Sequence, residues 1–165
     1  MRRQKGIWQA VLAASVLVGG LTVGAFAQGS DTTYYVPTGP GVAVTTQASV
    51  AQTVSKLKQA VAYGGMMVMG ELHQGKVLAM TGLNVQSETL FVGSPRVGKM
   101  LFSADPGVGI VVPIRINVYQ NAAGDTVVRY IPPSKELDQF HNAKVSKIAA
   151  MLDKKLKMLT SMLGH

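Results

Sequence analysis

Residues 49–73 read SVAQTVSKLKQAVAYGGMMVMGELH, and the fold turns on where the helix in this stretch stops and the strand begins. Ser49, with Gln52 three places on, is a capping-box pattern, in which each side chain satisfies a backbone N–H at a helix start. Val50, Val54, Leu57 and Val61 recur at helical spacing and predict an amphipathic helix of about three turns. Gly64-Gly65 ends it, because glycine accepts the left-handed conformation that closes a helix. Met66–His73 then reads as a strand. Side chains alternate along a strand, so Met66, Val68, Gly70 and Leu72 are expected against the helices, with Gly70 allowing close approach. Met67, Met69, Glu71 and His73 are expected together on the other face, toward a cavity, a dimer partner or water.

Working outward, the short apolar run Gly41–Thr46 is a first strand. Thr89–Val92 is a third, entering a turn at Gly93-Ser94-Pro95. Val108–Gln120 is β-rich, and Pro113 within it marks a bulge, a strand start or an edge. Asn121–Asp125 is a turn, and Thr126–Ile131 returns as the hairpin partner. Pro132-Pro133 breaks the sheet. From about Ser134 the tail is helical, with Val145, Ile148, Leu152, Leu156, Leu159 and Leu163 on one stripe. Met151, Met158 and Met162 border that stripe, and Lys154, Lys155 and Lys157 form a solvated side. The order β-α-β-β-β-β-α, with strands in hairpin sequence, predicts α+β: a single antiparallel β-sheet with two helices packed on one face.

The N-terminus, MRRQKGIWQAVLAASVLVGGLTVGAFAQ, carries Arg2, Arg3 and Lys5 before an apolar stretch from Ile7 to Val23. Ala25-Phe26-Ala27 follows, the small-x-small pattern of a signal-peptidase site. Residues 1–27 are therefore expected to be a cleavable Sec-type signal peptide, cut after Ala27, and the protein to be periplasmic or secreted. An uncleaved anchor is the competing reading, although Gln9, Ser15 and Gly19-Gly20 interrupt the apolar run. Residues 28–40, with Pro37, Gly39 and Pro40, read as a flexible lead-in, and 41–165 as a single domain. The chain has no cysteine, which excludes a disulfide scaffold, a lipoprotein, a thiol nucleophile and an iron–sulfur cluster. Setting aside Arg2, Arg3 and Lys5 reduces the +8 of the whole chain to a mild basic excess, concentrated between Lys144 and Lys157. Nucleic acid is not an expected partner of such a domain. Membrane contact is expected only through the signal peptide before cleavage.

The ordered set of segments resembles a known bacterial family. SVAQTVSKLKQAV leads through a glycine-ended turn to a strand closing on Glu71-Leu72-His73. TLFVGSP, LFSADPGVG, VPIRINVYQ, a turn at Gly124 and VVRYIPP then follow. Their order and spacing are similar to the family called domain of unknown function 302, over roughly residues 41–163. The resemblance implies a TBP-like α+β fold, often dimeric, and no agreed activity. Family members commonly carry an Asp-His pair at the end of the second strand. Here Leu72-His73 stands at that place, with Glu71 one position earlier. The family's Phe-Gly-Asn-Pro turn corresponds to Val92-Gly93-Ser94-Pro95.

Three readings of the chemistry compete. The leading one is a non-catalytic ligand-binding or protein-interaction module, with Glu71, His73, Ser94, Arg96, Lys99 and Asp105 as candidate ligand-binding residues. In it, exposed amides, Arg96 and Lys99 receive a small anionic ligand, and the exposed sheet face serves a homodimer. A second reading is a soft-metal site, for copper, from Met67, Met69 and His73, since thioether plus imidazole suits Cu(I). Its plainer rival is that methionine fills irregular apolar space. A third makes Glu71 and His73 an acid–base pair, without a recognisable nucleophile motif beside it. No catalytic residue is assigned and no cofactor is implied.

Overall fold

The capping box closes as the sequence predicts. Gln52 N donates to Ser49 Oγ at 3.3 Å, and Ser49 N donates to Gln52 Oε1 at 3.1 Å. The computed structural model describes residues 41–163; the expected signal peptide and lead-in, 1–27 and 28–40, lie outside the described residues. In chain order come β1 (Val42–Thr46), α1 (Val50–Tyr63), β2 (Met67–Leu72), α2 (Gln74–Ala79), β3 (Ser87–Gly93) and α3 (Pro95–Ala104). A 3-10 turn (Pro106–Ile110), β4 (Ile114–Gln120), β5 (Thr126–Tyr130) and α4 (Pro133–Glu136) follow, then a second 3-10 turn (Asp138–Phe140) and α5 (Ala143–Ser161).

The strands form one sheet in the order β1-β5-β4-β3-β2, every neighbouring pair antiparallel. The architecture is α+β with a single five-stranded antiparallel sheet, as expected. One sheet face carries Leu90, Val92, Ile114, Ile116, Val118, Val128 and Tyr130, all buried. The long helices supply the other half of the core: Val54, Leu57 and Val61 from α1, and Val145, Ile148, Leu152, Leu156 and Leu159 from α5. Each fully buried leucine of that stripe contributes roughly 1.5–3 kcal/mol of transfer free energy. The two helices meet closely at Gly64, where an added Cβ would stand 2.8 Å from Leu159 Cδ2. Lys155 Nζ donates to Gly64 O at 2.6 Å. That lysine therefore leaves the solvated side expected for it and serves the end of α1. Gly65, at φ +67, supplies the left-handed residue that turns the chain into β2.

Two further helices, α2 and α3, depart from the expectation, and the helical tail expected from about Ser134 is divided into α4 and α5. Gly93-Ser94-Pro95 is a helix start rather than a simple turn, with Ser94 at the N-cap position and Pro95 in the first turn of α3. The stretch after His73 forms α2, and Pro133 opens α4. Pro113 marks a strand start, one of its three expected roles, and the strand runs only from Ile114. The segment before it is a 3-10 turn.

β2 contains the fold's main irregularity. Met67 pairs with Gly93 and Val68 with Val92, but Gly70 pairs with Phe91, Glu71 with Leu90 and Leu72 with Thr89. Met69 is therefore an inserted residue, a β-bulge, and it reverses the facing of everything after it. The expected grouping of Met67, Met69, Glu71 and His73 on one face is corrected accordingly. Val68 and Glu71 pair with the helix-covered residues Val92 and Leu90. Gly70 and Leu72 face the open side with Phe91 and Thr89, so Gly70 makes no close approach to a helix.

Thr53 lies on the buried side of α1, and its Oγ1 has no hydrogen-bond partner among the described residues. A buried polar group without a partner costs about 1–3 kcal/mol, whereas an apolar group of the same shape costs little. Thr53→Val is expected to raise the urea midpoint, by a stability gain of about 1 kcal/mol, with an unchanged slope. A lower midpoint would show that the hydroxyl is satisfied in solution.

Candidate functional site

Because the bulge turns Glu71 toward the helix side, its carboxylate meets α1. Lys58, one residue past the buried Leu57, donates from Nζ to both carboxylate oxygens of Glu71, at 2.6 and 2.9 Å. β2 ends at Leu72, and His73 takes the N-cap position of α2. Its side chain makes no capping hydrogen bond; instead Nδ1 lies 3.4 Å from Glu88 Oε2. Glu88 stands opposite Val118 on β3, two residues before Leu90 and on the same face. One ligand-capable atom from each of Glu71, His73 and Glu88 lies within 4.8 Å of the others.

The backbone holds this cluster in place at Gly75. A Cβ there would stand 2.4 Å from Val85 O, so only glycine lets α2 lie directly on the chain leading into β3. That contact fixes the distance between His73, at the start of α2, and Glu88, on β3. A cleft of about 600 Å³ opens beside them, lined by Val50, Lys76, Gln86, Gln120 and Asn121 as well as His73 and Glu88.

The two carboxyl groups are not equivalent. A hydrogen bond with Glu88, then Lys58, holds the Glu71 carboxyl below its ordinary value. Burial, then the hydrogen bond with Glu71, pushes Glu88 up, and His73 only partly opposes this. Glu71 is thus the standing carboxylate and Glu88 the group that takes up a proton first.

The other predicted residues do not join this site. The side chains of Met67, Met69 and Leu72, half-exposed, belong to the open sheet face, and Met69 Sδ lies over Gly93. The expected Met67–Met69–His73 set is therefore divided, because the bulge leaves the thioethers on the side away from Glu71, and His73 pairs with Glu88. Asp105 caps the first 3-10 turn, accepting from Gly107 N at 2.7 Å. Ser94 precedes α3 and Asp105 follows it, so a ten-residue helix separates them. Arg96 and Lys99 are exposed on that helix. Lys58, Glu88 and α2 are the components that sequence reasoning missed. Glu88 was legible in one respect: it keeps the two-residue spacing of Leu90 and Val92, an acid in register with core positions.

On the open face, the hydroxyls of Ser87 and Thr89 each lie 2.9 Å from Gln74 Oε1, and 3.0 and 3.3 Å from Asn117 Oδ1. Arg115 pairs there with Glu136 at 3.1 Å. This polar layer ties α2 to the sheet from the side opposite Glu88.

The model of the family "Domain of unknown function DUF302" matches residues 42–163. The chain is also similar to a solved structure, that of an uncharacterized conserved protein DUF302 from Bacillus stearothermophilus. The TM-score is 0.69 at 20% sequence identity, over 73% of this chain and 95% of that one. At that identity the likeness shows the fold alone. No curated protein matches the chain.

The raised Glu88 carboxyl favours the folded state while it holds its proton and works against it as pH rises through the folded value. Glu88→Gln keeps the shape and removes the charge. It is expected to unfold at higher urea than wild type at pH 8, with the difference narrowing as pH falls through the ordinary carboxyl range. A difference constant from pH 8 to pH 4 would contradict the assignment.

Proposed function

We propose that this chain, which belongs to the family of domain of unknown function DUF302, is an exported, non-catalytic binding module that takes a divalent cation between β2, α2 and β3. The observation that carries the reading is the convergence of Glu71, His73 and Glu88, with candidate ligand atoms within 4.8 Å of one another at the edge of a cleft. Two carboxylates and an imidazole suit borderline and harder ions such as Zn²⁺ or Mn²⁺. The thioethers that would favour Cu(I) belong to the other side of the sheet. Three protein ligands leave coordination positions for water or for a small anion entering the cleft, which unites the cation reading with the expected anionic ligand. Lys58 would act as the counter-charge of Glu71 when no cation is bound, and its ammonium would be displaced by one.

Export is the part of the proposal that rests on Arg2, Arg3, Lys5 and the Ala25-Phe26-Ala27 pattern. The open face, with Met67, Met69 and Leu72 half-exposed, is the surface through which two copies would associate. An acid–base role for Glu88 and His73 is the second reading, favoured by the raised Glu88 carboxyl. It requires a substrate whose reacting atom reaches Glu88, whereas the cation reading does not.

Calorimetric titration of tag-free, chelator-stripped protein with Zn²⁺ and with Mn²⁺ separates these readings. Stoichiometric binding is expected, and His73→Ala and Glu88→Gln should each weaken it by roughly tenfold or more, the scale that even outer-shell partners command. Met69→Ala should leave it unchanged. If wild type takes up neither ion, or His73→Ala binds as wild type does, the cation site is wrong.

A further inference from the structure

A second concavity lies at the opposite end of the β2–β3 pair, away from His73 and Glu88, and does not depend on the cation reading. It measures about 250 Å³. Its inner wall consists of Met66, Val92, Leu101, Ile114 and Leu152, all buried core residues. Its lip is formed by Met69 and Phe102, half-exposed. Ser94 is the sole polar side chain among its lining residues, and its hydroxyl caps nothing at the start of α3.

The apolar wall atoms gain dispersion partners when a ligand of fitting outline covers them. An engineered apolar cavity of ~150 Å³ takes up benzene. A space of about 250 Å³ accommodates a six-membered ring with a short substituent. The bulge contributes directly: Met69 reaches back over Gly93, where an added Cβ would stand 2.9 Å from its sulfur. The glycine thus leaves room for a flexible thioether at the mouth, a group that adapts to a ligand's outline. On α3, an added Cβ at Gly98, another lining residue, meets nothing within 4 Å. The site is open there by the absence of a side chain.

We propose that this cavity binds a small, uncharged or anionic monocyclic hydrophobe that carries one oxygen, with the ring against Val92 and Leu101 and the oxygen at Ser94. The ring size follows from the volume, and the single oxygen from the single hydroxyl on an otherwise apolar wall. A cationic head is disfavoured, since no carboxylate lines the site and the positive end of α3 lies at Ser94.

The test uses the full chain as the cell accumulates it, with ¹³C-methyl methionine labelling and three probes: toluene, benzyl alcohol and benzylamine. Toluene and benzyl alcohol are expected to move the Met66 and Met69 methyl signals saturably, benzyl alcohol binding several-fold more tightly and benzylamine most weakly. Ser94→Ala should erase the preference for the alcohol and keep toluene binding. Val97→Phe and, independently, Gly98→Val fill the space and should each reduce toluene binding by at least about tenfold, the scale of a steric change within an apolar pocket. A cooperative urea-unfolding transition reports that each variant is folded. The proposal is overturned if no probe shifts Met66 or Met69 saturably, or if the shift survives in a folded filled variant.

Discussion

In an antiparallel pair, one residue added to one strand turns every following side chain to the opposite face. Met69 is such a residue, and the rest of the molecule's asymmetry depends on it. Upstream of it, Met66 and Val68 pack into the core as a regular strand would have them. Downstream, the residue that pairs with the fully buried Leu90 is Glu71, a carboxylate that a regular register would have kept on the open side. The same step brings Leu72 out of the core side and delivers His73 to the corner where α1, α2 and β3 meet. A Met69 deletion mutant would thus differ in the half that carries Glu71, His73 and Glu88, although its hydrophobic composition would hardly change.

The corner that results is poor in stabilising value. An exposed ion pair contributes about 0–1 kcal/mol, and Lys58–Glu71 is of that kind, with Lys58 still substantially exposed. Against it stand two carboxyl groups that meet on the helix side of the sheet, with burial raising the Glu88 pKa. Like charges at that separation repel, and desolvation adds to the penalty. Leu90 and Val92 continue the same face as buried apolar residues, whereas positions 71 and 88 carry acids. Placing acids there instead, and fixing α2 by a glycine whose replacement would strike Val85 O, makes sense where a positive ligand completes the group.

Much of the frame was legible because its signals are periodic. The leucine stripe of α5, from Val145 to Leu163, is buried at every position, and the Ser49–Gln52 capping pattern closes as drawn. The five strands and their antiparallel pairing follow from alternation and turn chemistry. The rest of the frame is what periodicity does not encode. α2 spans six residues, too short for a stripe, and α3 begins at a Ser-Pro pair that reads equally as a turn. A bulge has no signature in Met-Val-Met-Gly, since either register presents apolar side chains to both faces. Read as a regular strand, the stretch groups the methionines with His73 and conceals the partnership of Glu71 with Glu88, whereas the bulge separates them. A third strand read from Thr89 leaves out Glu88, whereas β3 starts at Ser87.

β2 is an edge strand, and an exposed edge is a liability that proteins cover, charge or distort. Here all three devices coincide with the two proposed sites. The bulge at Met69 breaks the flat ladder in the middle of the edge. At one end, α2 folds down beside β3, and Lys58 of α1, Glu71 and His73 gather around the end of the strand. At the other, the start of α3 and the Met69 side chain enclose the apolar cavity. A cation bridging Glu71, His73 and Glu88 would tie the end of β2 to β3, and a hydrophobe under Met69 would brace its beginning. Each proposed ligand would therefore contact the same six-residue strand, one at each end of it.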